Sequence, residues 1–125
     1  MKKFDCIVIG TGQAGSPLAK ALADDGQTVA IIEKGPLGGS CVNEGCTPTK
    51  AYVADARRAW VAANSSSLGI VAKGGVEVDL KTIKTRKDRI VEDKHRGLRK
   101  MLDHELIELI RGEAKFEDAH TVVVD

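Results

Sequence analysis

The apolar positions near the N-terminus form two short runs with a helical segment between them. The run Phe4–Ile9 is almost continuously apolar, which predicts a strand buried on both faces of a parallel sheet. Segment Ser16–Asp25 has apolar residues at helical spacing and predicts a helix that ends at Gly26. The second apolar run, Thr28–Ile32, predicts another buried strand. Together the three segments predict a βαβ unit.

Helical periodicity continues in the middle of the chain. One helix is predicted from Pro48 to about Ala63, with one apolar face made of Val53, Ala56, Trp60 and Ala63. We interpret Trp60 as a core or interface residue and not as a cofactor stack. A loop is predicted over residues 64–67 and a turn-rich connection over residues 69–78. A long helix is then predicted from an N-cap at Asp79 to about Leu102.

The C-terminal part of the chain contains three short β segments, Leu106–Ile110, Ala114–Phe116 and Thr121–Val124. Gly112 and the segment Asp118–His120 separate them, so we predict antiparallel strands. Only two parallel strands are then predicted, and the sheet is expected to keep an exposed edge.

Composition and charge exclude several classes of function. The chain of 125 residues is 42% hydrophobic and 30% charged, which is typical of one soluble globular domain. Its net charge of +1 gives no bias toward nucleic acid, and acids are interleaved among the bases of the long helix. Its apolar runs are too short to span a membrane, so a cytoplasmic location is expected.

A glycine fingerprint, Gly-x-Gly-x-x-Gly, follows the first strand directly. Gly10 permits the tight turn, Gly12 lets the backbone approach a pyrophosphate, and Gly15 lets the helix pack on the strand. The anion would lie at the helix N-terminus. Glu33 ends the second strand and is placed to accept hydrogen bonds from an adenosine ribose, and it would repel a 2′-phosphate. We predict a dinucleotide site other than one for NADP; the alternative is a turn used for packing alone.

Two cysteines, Cys41 and Cys46, lie close together in the glycine-rich segment Gly38–Lys50. Their spacing fits none of the common zinc patterns, so no metal site is predicted. The odd number of cysteines favours a redox pair, with Cys6 as an inert core residue. The histidines are interpreted as surface or packing residues: His95, His104 and His120.

A βαβ dinucleotide unit that runs directly into a close cysteine pair suggests a flavin whose ring lies against a disulfide. A nicotinamide would bring hydride to a substrate and would not need a disulfide beside it. Segment Gly38–Lys50 resembles the motif Gly-Gly-x-Cys-x-Asn-x-Gly-Cys-x-Pro-x-Lys of the class I pyridine nucleotide-disulfide oxidoreductases, with every fixed position present. That family includes dihydrolipoamide dehydrogenase, glutathione reductase and mercuric reductase. The resemblance covers essentially the whole chain, including the glycine fingerprint and Glu33.

The resemblance implies specific roles for residues of this chain. Cys41 would be the interchange thiol that attacks the substrate, and Cys46 the charge-transfer thiol packed against the flavin. Lys50 would stabilise the reduced ring, and a nearby helix N-terminus would lower the thiol pKa. The FAD contacts implied are Gly10, Gly12, Gln13, Ala14, Gly15, Glu33, Lys34, Gly39, Ser40, Cys46 and Lys50.

Family members are several times longer than this chain. The resemblance therefore implies that residues 1–125 are the N-terminal part of an FAD-binding domain, with the NAD(P)H site and the homodimerisation domain elsewhere. The substrate would be a small-molecule or protein disulfide, or a metal ion. A stand-alone module that binds an adenine dinucleotide, or carries a dithiol without turnover, is the alternative. The predicted fold class is α/β: a partial Rossmann-like βαβ domain, a long helix and a small antiparallel β-meander.

Overall fold

A computed structural model describes residues 1–71 and 73–125 and contains the expected βαβ unit. Strand β1 (Cys6–Ile9) pairs in parallel with β2 (Val29–Glu33), and helix α1 (Gly15–Asp24) connects them. The core lies between this helix and one face of the sheet. Its buried side chains are Val8, Ala19, Ala23, Val29, Ile31, Leu37 and Leu102.

The sheet has a third parallel strand, β3 (Ile107–Arg111), which pairs with β2 on the side away from β1. Our predictions of an antiparallel strand at Leu106–Ile110 and of only two parallel strands were therefore wrong. The direction of β3 follows from the long helical connection before it, because such a crossover returns the chain to the same end of the sheet. The turn residues near β3, on which the antiparallel prediction was based, carry no information about that longer connection.

Strand β1 lies at one edge of the sheet and is buried on one face only. Val8 is 8% exposed, whereas Ile7 is 41% and Ile9 is 49% exposed. The prediction that this strand is buried on both faces was wrong for the residues described. The cause is the strand order β1-β2-β3, which places the fully buried run in β2 at the centre.

Two helices, α2 (Gly39–Asn43) and α3 (Cys46–Asn64), follow β2 in the chain, and α4 (Leu80–Leu102) packs against both. Helix α3 begins two residues before the expected Pro48, which it accommodates in its first turn because those N–H groups have no intrahelical partner. The predicted cap of α4 is confirmed: Asp79 Oδ1 accepts from the N–H of Lys81 at 2.9 Å and of Thr82 at 3.2 Å.

The predicted apolar face of α3 does not pack into the core. Trp60 is 67% and Val53 is 59% exposed, so Trp60 is not a core residue of the described part of the chain. The side that meets α4 carries Asp55, whose carboxylate accepts from Arg86 at 2.7 Å and from Arg58 at 3.0 Å. The contact between α3 and α4 therefore includes an ion pair that the apolar pattern of α3 does not indicate.

The remaining elements are short. The predicted loop at residues 64–67 is a 3-10 turn (Ser65–Leu68), and the predicted connection over residues 69–78 includes Ala72, which lies outside the described residues. Strands β4 (Ala114–Phe116) and β5 (Val122–Val124) pair antiparallel, as predicted. The α/β fold class is confirmed. Within residues 1–71 and 73–125, every helix is too short or too polar to cross a membrane.

Candidate functional site

The glycine fingerprint forms the turn between β1 and α1. Gly10 has a φ of +93°, a conformation that favours glycine, and its N–H donates to the carbonyl of Ile32 at 2.7 Å. A Cβ added at Gly15 would lie 2.0 Å from the Gly10 carbonyl oxygen, so α1 reaches the turn only because Gly15 has no side chain. A Cβ at Gly12 would meet nothing within 4 Å. Gly15 therefore serves packing, whereas Gly12 faces open space.

Helix α1 starts at the surface beside that open space. Gln13 and Ala14 precede its first turn and are exposed. Behind them, the buried Ser16 hydroxyl donates to the Thr11 carbonyl at 2.8 Å and fixes the turn to the helix. The first N–H groups of a helix lack intrahelical acceptors, so this end of α1 offers donors to an anion.

Glu33 lies at the end of β2, where the sequence places it, but its carboxylate faces the glycine turn. Its Oε2 accepts from the Thr11 N–H at 2.9 Å and the Thr11 hydroxyl at 2.6 Å, and its Oε1 accepts from the Gly35 N–H at 2.8 Å. Burial alone would raise the pKa of Glu33. The hydrogen bonds from Thr11 and Gly35 and the charge of Arg111 outweigh that effect and lower the pKa.

Thr11 also joins the glycine turn to the segment that carries the cysteines. Its buried hydroxyl accepts from the Gly38 N–H at 3.0 Å while donating to Glu33. One residue further along, a Cβ added at Gly39 would lie 3.2 Å from the Cα of Gly12. Sequence reasoning missed Thr11, because it occupies a variable position of the fingerprint and no pattern marks it.

The two cysteines lie on consecutive helices separated by a sharp turn. Cys41 is in α2, and Cys46 is the first residue of α3. At the turn, the Gly45 N–H donates to the Ser40 carbonyl at 2.7 Å, and a Cβ at Gly45 would lie 3.2 Å from that same oxygen. A glycine at this position therefore allows α3 to start directly beside α2.

Both cysteines line one cavity of about 460 Å³ between the glycine turn, α2, α3 and α4. The structure thus brings together the three residues that we predicted to act on the substrate or the ring, and adds Gln13 of the glycine turn. The cavity is lined by Gln13, Cys41, Val42, Cys46, Thr47, Lys50, Ala51, Ile90 and Lys94. Ser40 is exposed nearby.

The cysteines are present as free thiols. A hydrogen bond with the Cys46 side chain raises the pKa of the Cys41 thiol, and partial burial adds to this, while the positive charge of Lys50 opposes it. A backbone hydrogen bond from Cys46, the first residue of α3, also lowers the pKa of Cys41, in the direction expected of a helix N-terminus. In this dithiol state the hydrogen bond with the Cys46 side chain and the burial of the thiol outweigh the lowering effects.

A smaller cavity of about 180 Å³ lies at the carboxyl ends of the strands, on the Glu33 side of the glycine turn. It unites Gly10, Glu33 and Lys34 with residues 112–114, which follow β3. Lys34 pairs with Glu113 at 3.1 Å. We had not predicted residues 112–114 as site residues; their position follows from the parallel direction of β3, which brings its end beside that of β2.

Cys6 lies apart from the other cysteines and is partly buried against the core, with its thiol donating to Gln27 Oε1 at 2.9 Å. Among the residues that the structure describes, no group of three or more His, Cys, Asp or Glu side chains is arranged to hold a metal ion.

Comparison with known proteins identifies relatives that share this architecture. The family model described as pyridine nucleotide-disulphide oxidoreductase matches residues 4–125. Dihydrolipoyl dehydrogenase of Geobacillus stearothermophilus is 38% identical over 120 residues, which are 96% of this chain and 25% of that protein. Mercuric reductase of Lysinibacillus sphaericus is 35% identical over 123 residues, which are 98% of this chain and 22% of that protein.

A solved structure agrees with these matches. The Cu(II) complex of the HOCl-induced flavoprotein disulfide reductase RclA from Escherichia coli superposes with a TM-score of 0.81 at 32% identity. The match covers 100% of this chain and 25% of that chain. The chain therefore spans about a quarter of the length of the relatives that it matches.

Proposed function

Because the chain belongs to the pyridine nucleotide-disulphide oxidoreductase family, we propose that the protein containing it is an FAD-dependent NAD(P)H:disulfide oxidoreductase. In this proposal, electrons pass between the flavin and a Cys41–Cys46 disulfide. The observation that carries the proposal is the contact between the two motifs. Gly12 and Gly39 approach backbone to backbone, which puts the glycine turn beside the cavity that contains both thiols.

The residues present fit an adenine dinucleotide. Gly12 leaves open space before the N-terminus of α1, where Gly10, Gln13, Ala14 and Gly15 would hold the pyrophosphate. A carboxylate can accept about four hydrogen bonds, one at each lone-pair position. The Glu33 carboxylate accepts three in this structure. Its Oε1 can thus accept one more donor, such as a ribose hydroxyl, in the smaller cavity, where Lys34 also lies.

The other end of the cofactor would lie in the larger cavity. Gly39, Ser40, Cys46 and Lys50 are the residues that would hold it there. A bound flavin supplies two-electron reduction of the disulfide. The Lys50 side chain brings a positive charge to that cavity, and Cys46 presents its sulfur from the first turn of α3, where the helix dipole favours negative charge.

The chemistry of the sulfurs then balances as two thiol–disulfide exchanges. The Cys41 thiolate attacks one sulfur of the substrate disulfide, forms a mixed disulfide and releases the first substrate thiolate. The Cys46 thiolate attacks the Cys41 sulfur of that mixed disulfide, which releases the second substrate thiolate and closes the Cys41–Cys46 bond. Two protons from solvent convert the substrate thiolates into thiols. A bound metal ion as substrate would instead be held by the same two sulfurs.

The rest of the proposal concerns the whole protein. Relatives that are named as dihydrolipoyl dehydrogenase and mercuric reductase suggest that a dithiol/disulfide or a metal ion is the substrate. A nicotinamide site, a homodimer and a cytoplasmic location complete the proposed enzyme.

A titration of the intact protein with NAD(P)H, followed by visible spectroscopy, tests this function. We expect a flavin spectrum and, after two electrons, a long-wavelength band from a thiolate beside the flavin. Substitution Cys46→Ser is expected to abolish that band, whereas Cys41→Ser is expected to retain it. A protein without flavin, or a reduced protein whose spectrum is the same with and without Cys46, contradicts the proposal.

A further inference from the structure

A side-chain hydrogen bond joins helix α4 to the segment between the two cysteines. His95 Nε2 lies 2.8 Å from Asn43 Oδ1, and the two residues are 52 positions apart in the chain. The His95 side chain is 18% exposed, so this contact is largely shielded from water. Sequence reasoning interpreted His95 as a surface or packing residue and gave it no connection with the dithiol.

The hydrogen bonds around Asn43 show which atom is the donor in its contact with His95. Its Nδ2 donates to the carbonyl oxygens of Gly39 at 2.8 Å and Leu37 at 3.0 Å, so the amide nitrogen faces the backbone. Its Oδ1 therefore faces His95, and an amide oxygen only accepts. The hydrogen must then reside on His95 Nε2. The other ring nitrogen, Nδ1, faces Glu92 at 3.6 Å, and Glu92 is paired with Arg99.

Asn43 lies between the two cysteines, next to the turn that separates α2 from α3. It is the last residue of α2, which carries Cys41, and only Glu44 and Gly45 separate it from Cys46. The Asn43 side chain ties α2 to the preceding loop, and His95 ties Asn43 to α4. Holding Asn43 thus removes freedom from the short link that must stay in place for the two thiols to meet.

We infer that His95 is a positioning residue for the dithiol: its Nε2–H bond to Asn43 holds the Asn43–Gly45 link and raises the effective concentration of one thiol toward the other. The inference rests on the proposed function, in which Cys41 and Cys46 form a reversible disulfide. Without this hydrogen bond the Asn43–Gly45 link is more mobile in the dithiol state. Closing the disulfide must then also restrict the link, and this entropic cost makes closure less favourable.

The test is the equilibrium between dithiol and disulfide in glutathione buffers, measured on the full chain by alkylation and peptide mass analysis. We expect His95→Leu to lower the effective concentration about three- to tenfold, which is the range for one net hydrogen bond. His95→Gln places an amide N–H near the position of Nε2 and is expected to stay within about twofold of the native chain. The matched control is Arg86→Leu, which breaks the α3–α4 contact with Asp55 and leaves Asn43 untouched.

Three results would overturn the inference: an unchanged His95→Leu equilibrium, no rescue by glutamine, or an equal shift in Arg86→Leu, which would indicate a general loss of helix packing. A native chain that forms no reversible Cys41–Cys46 disulfide contradicts the proposed function itself and is thus distinguished from a failure of His95 alone. Should His95→Leu not fold, long-range ¹H–¹⁵N correlation spectra of the native imidazole decide. A proton on Nε2 supports the inference, and the Nδ1–H tautomer overturns it.

Discussion

The Thr11 hydroxyl donates to Glu33 Oε2 over 2.6 Å and at the same time accepts from the Gly38 N–H over 3.0 Å. This one buried oxygen connects the three segments that form the candidate site: the glycine turn, the acidic end of β2 and the start of the dithiol segment. Because Thr11 is fully buried, water cannot replace either bond. The geometry of the glycine turn and that of the dithiol segment are therefore not independent.

Substitution Thr11→Val removes the hydroxyl and keeps the shape of the side chain. The Gly38 N–H then loses its buried acceptor, and Glu33 loses one donor. An unsatisfied buried polar group costs about 1–3 kcal/mol. Because Thr11→Val affects two hydrogen bonds, we expect the free energy of unfolding in urea titrations to fall by about 2–3 kcal/mol, the upper part of that range. Thr11→Ser keeps the hydroxyl and is the matched control, with a loss of about 1 kcal/mol for one buried methyl group. Equal losses in the two variants would contradict the role of the oxygen.

The lowered pKa of Glu33 predicts a pH dependence of stability. Since the folded-state pKa lies below the unfolded-state value, folding favours the charged form. The stabilisation is complete above the unfolded-state pKa of about 4.3 and is lost as the pH falls through the lower folded-state value. In Glu33→Gln this contribution is absent at every pH.

We therefore expect Glu33→Gln to be less stable than the native chain near pH 7, with a difference that shrinks as the pH falls below about 4. Urea midpoints at pH 7, 5 and 3.5 measure this. Asp79→Asn is a useful comparison, because the pKa of Asp79 is lowered by the Thr82 side chain, far from the site. A constant difference between Glu33→Gln and the native chain across this range would show that Glu33 gains no stability from its charge in the fold.

The parts of the fold that the sequence predicts correctly are those in which the signal is local. The glycine spacing predicts the β1–α1 turn. The atom that excludes a Cβ at Gly15 is the carbonyl oxygen of Gly10, which belongs to the same short stretch. The cysteine motif likewise contains its own turn at Gly45. The side of α3 that faces α4 is different, because it includes the pairing of Asp55 with Arg86, a residue 31 positions away. A periodic apolar face cannot reveal such a pairing.

The same argument covers the residues that sequence reasoning missed. The direction of β3 depends on the path through α4, and that direction brings residues 112–114 to Glu33. His95 reaches Asn43 only because α4 crosses over the dithiol segment. Thr11 acts through contacts 22 and 27 positions away. Each of these relationships is a property of the assembled fold, and none leaves a pattern in a single sequence.

Alanine substitutions at Gly15 and Gly12 distinguish two roles of the glycine turn. Gly15 is needed for packing of α1, and Gly12 is predicted to let the cofactor approach the backbone. Gly15→Ala drives a Cβ toward the Gly10 carbonyl, so we expect the free energy of unfolding to fall by about 3 kcal/mol, at the upper end of overpacking costs. Gly12→Ala points into open space and is expected to change stability by less than about 0.5 kcal/mol. In the intact protein, Gly12→Ala is nevertheless expected to weaken FAD retention. Normal FAD content in Gly12→Ala, measured after gel filtration, would contradict close approach of the cofactor at this residue.

The reactivity of Cys41 tests the electrostatics of the dithiol directly. Its pKa is raised mainly by the hydrogen bond with the Cys46 side chain and is lowered by the charge of Lys50. Cys46→Ala is therefore expected to move the pH profile of Cys41 alkylation by iodoacetamide to lower pH, since alkylation follows the thiolate. Lys50→Met is expected to move it to higher pH.

The opposite signs of these two shifts make the prediction specific. General loosening of the segment would expose Cys41 and raise its alkylation rate in both variants, without displacing the profiles in opposite directions. Lys34→Met is the matched control, because Lys34 lies in the other cavity and pairs with Glu113. Peptide mass mapping distinguishes alkylated Cys41 from Cys6 and Cys46. If the Cys46→Ala and Lys50→Met profiles coincide with that of the native chain, the neighbouring thiol and the lysine do not control the ionisation of Cys41.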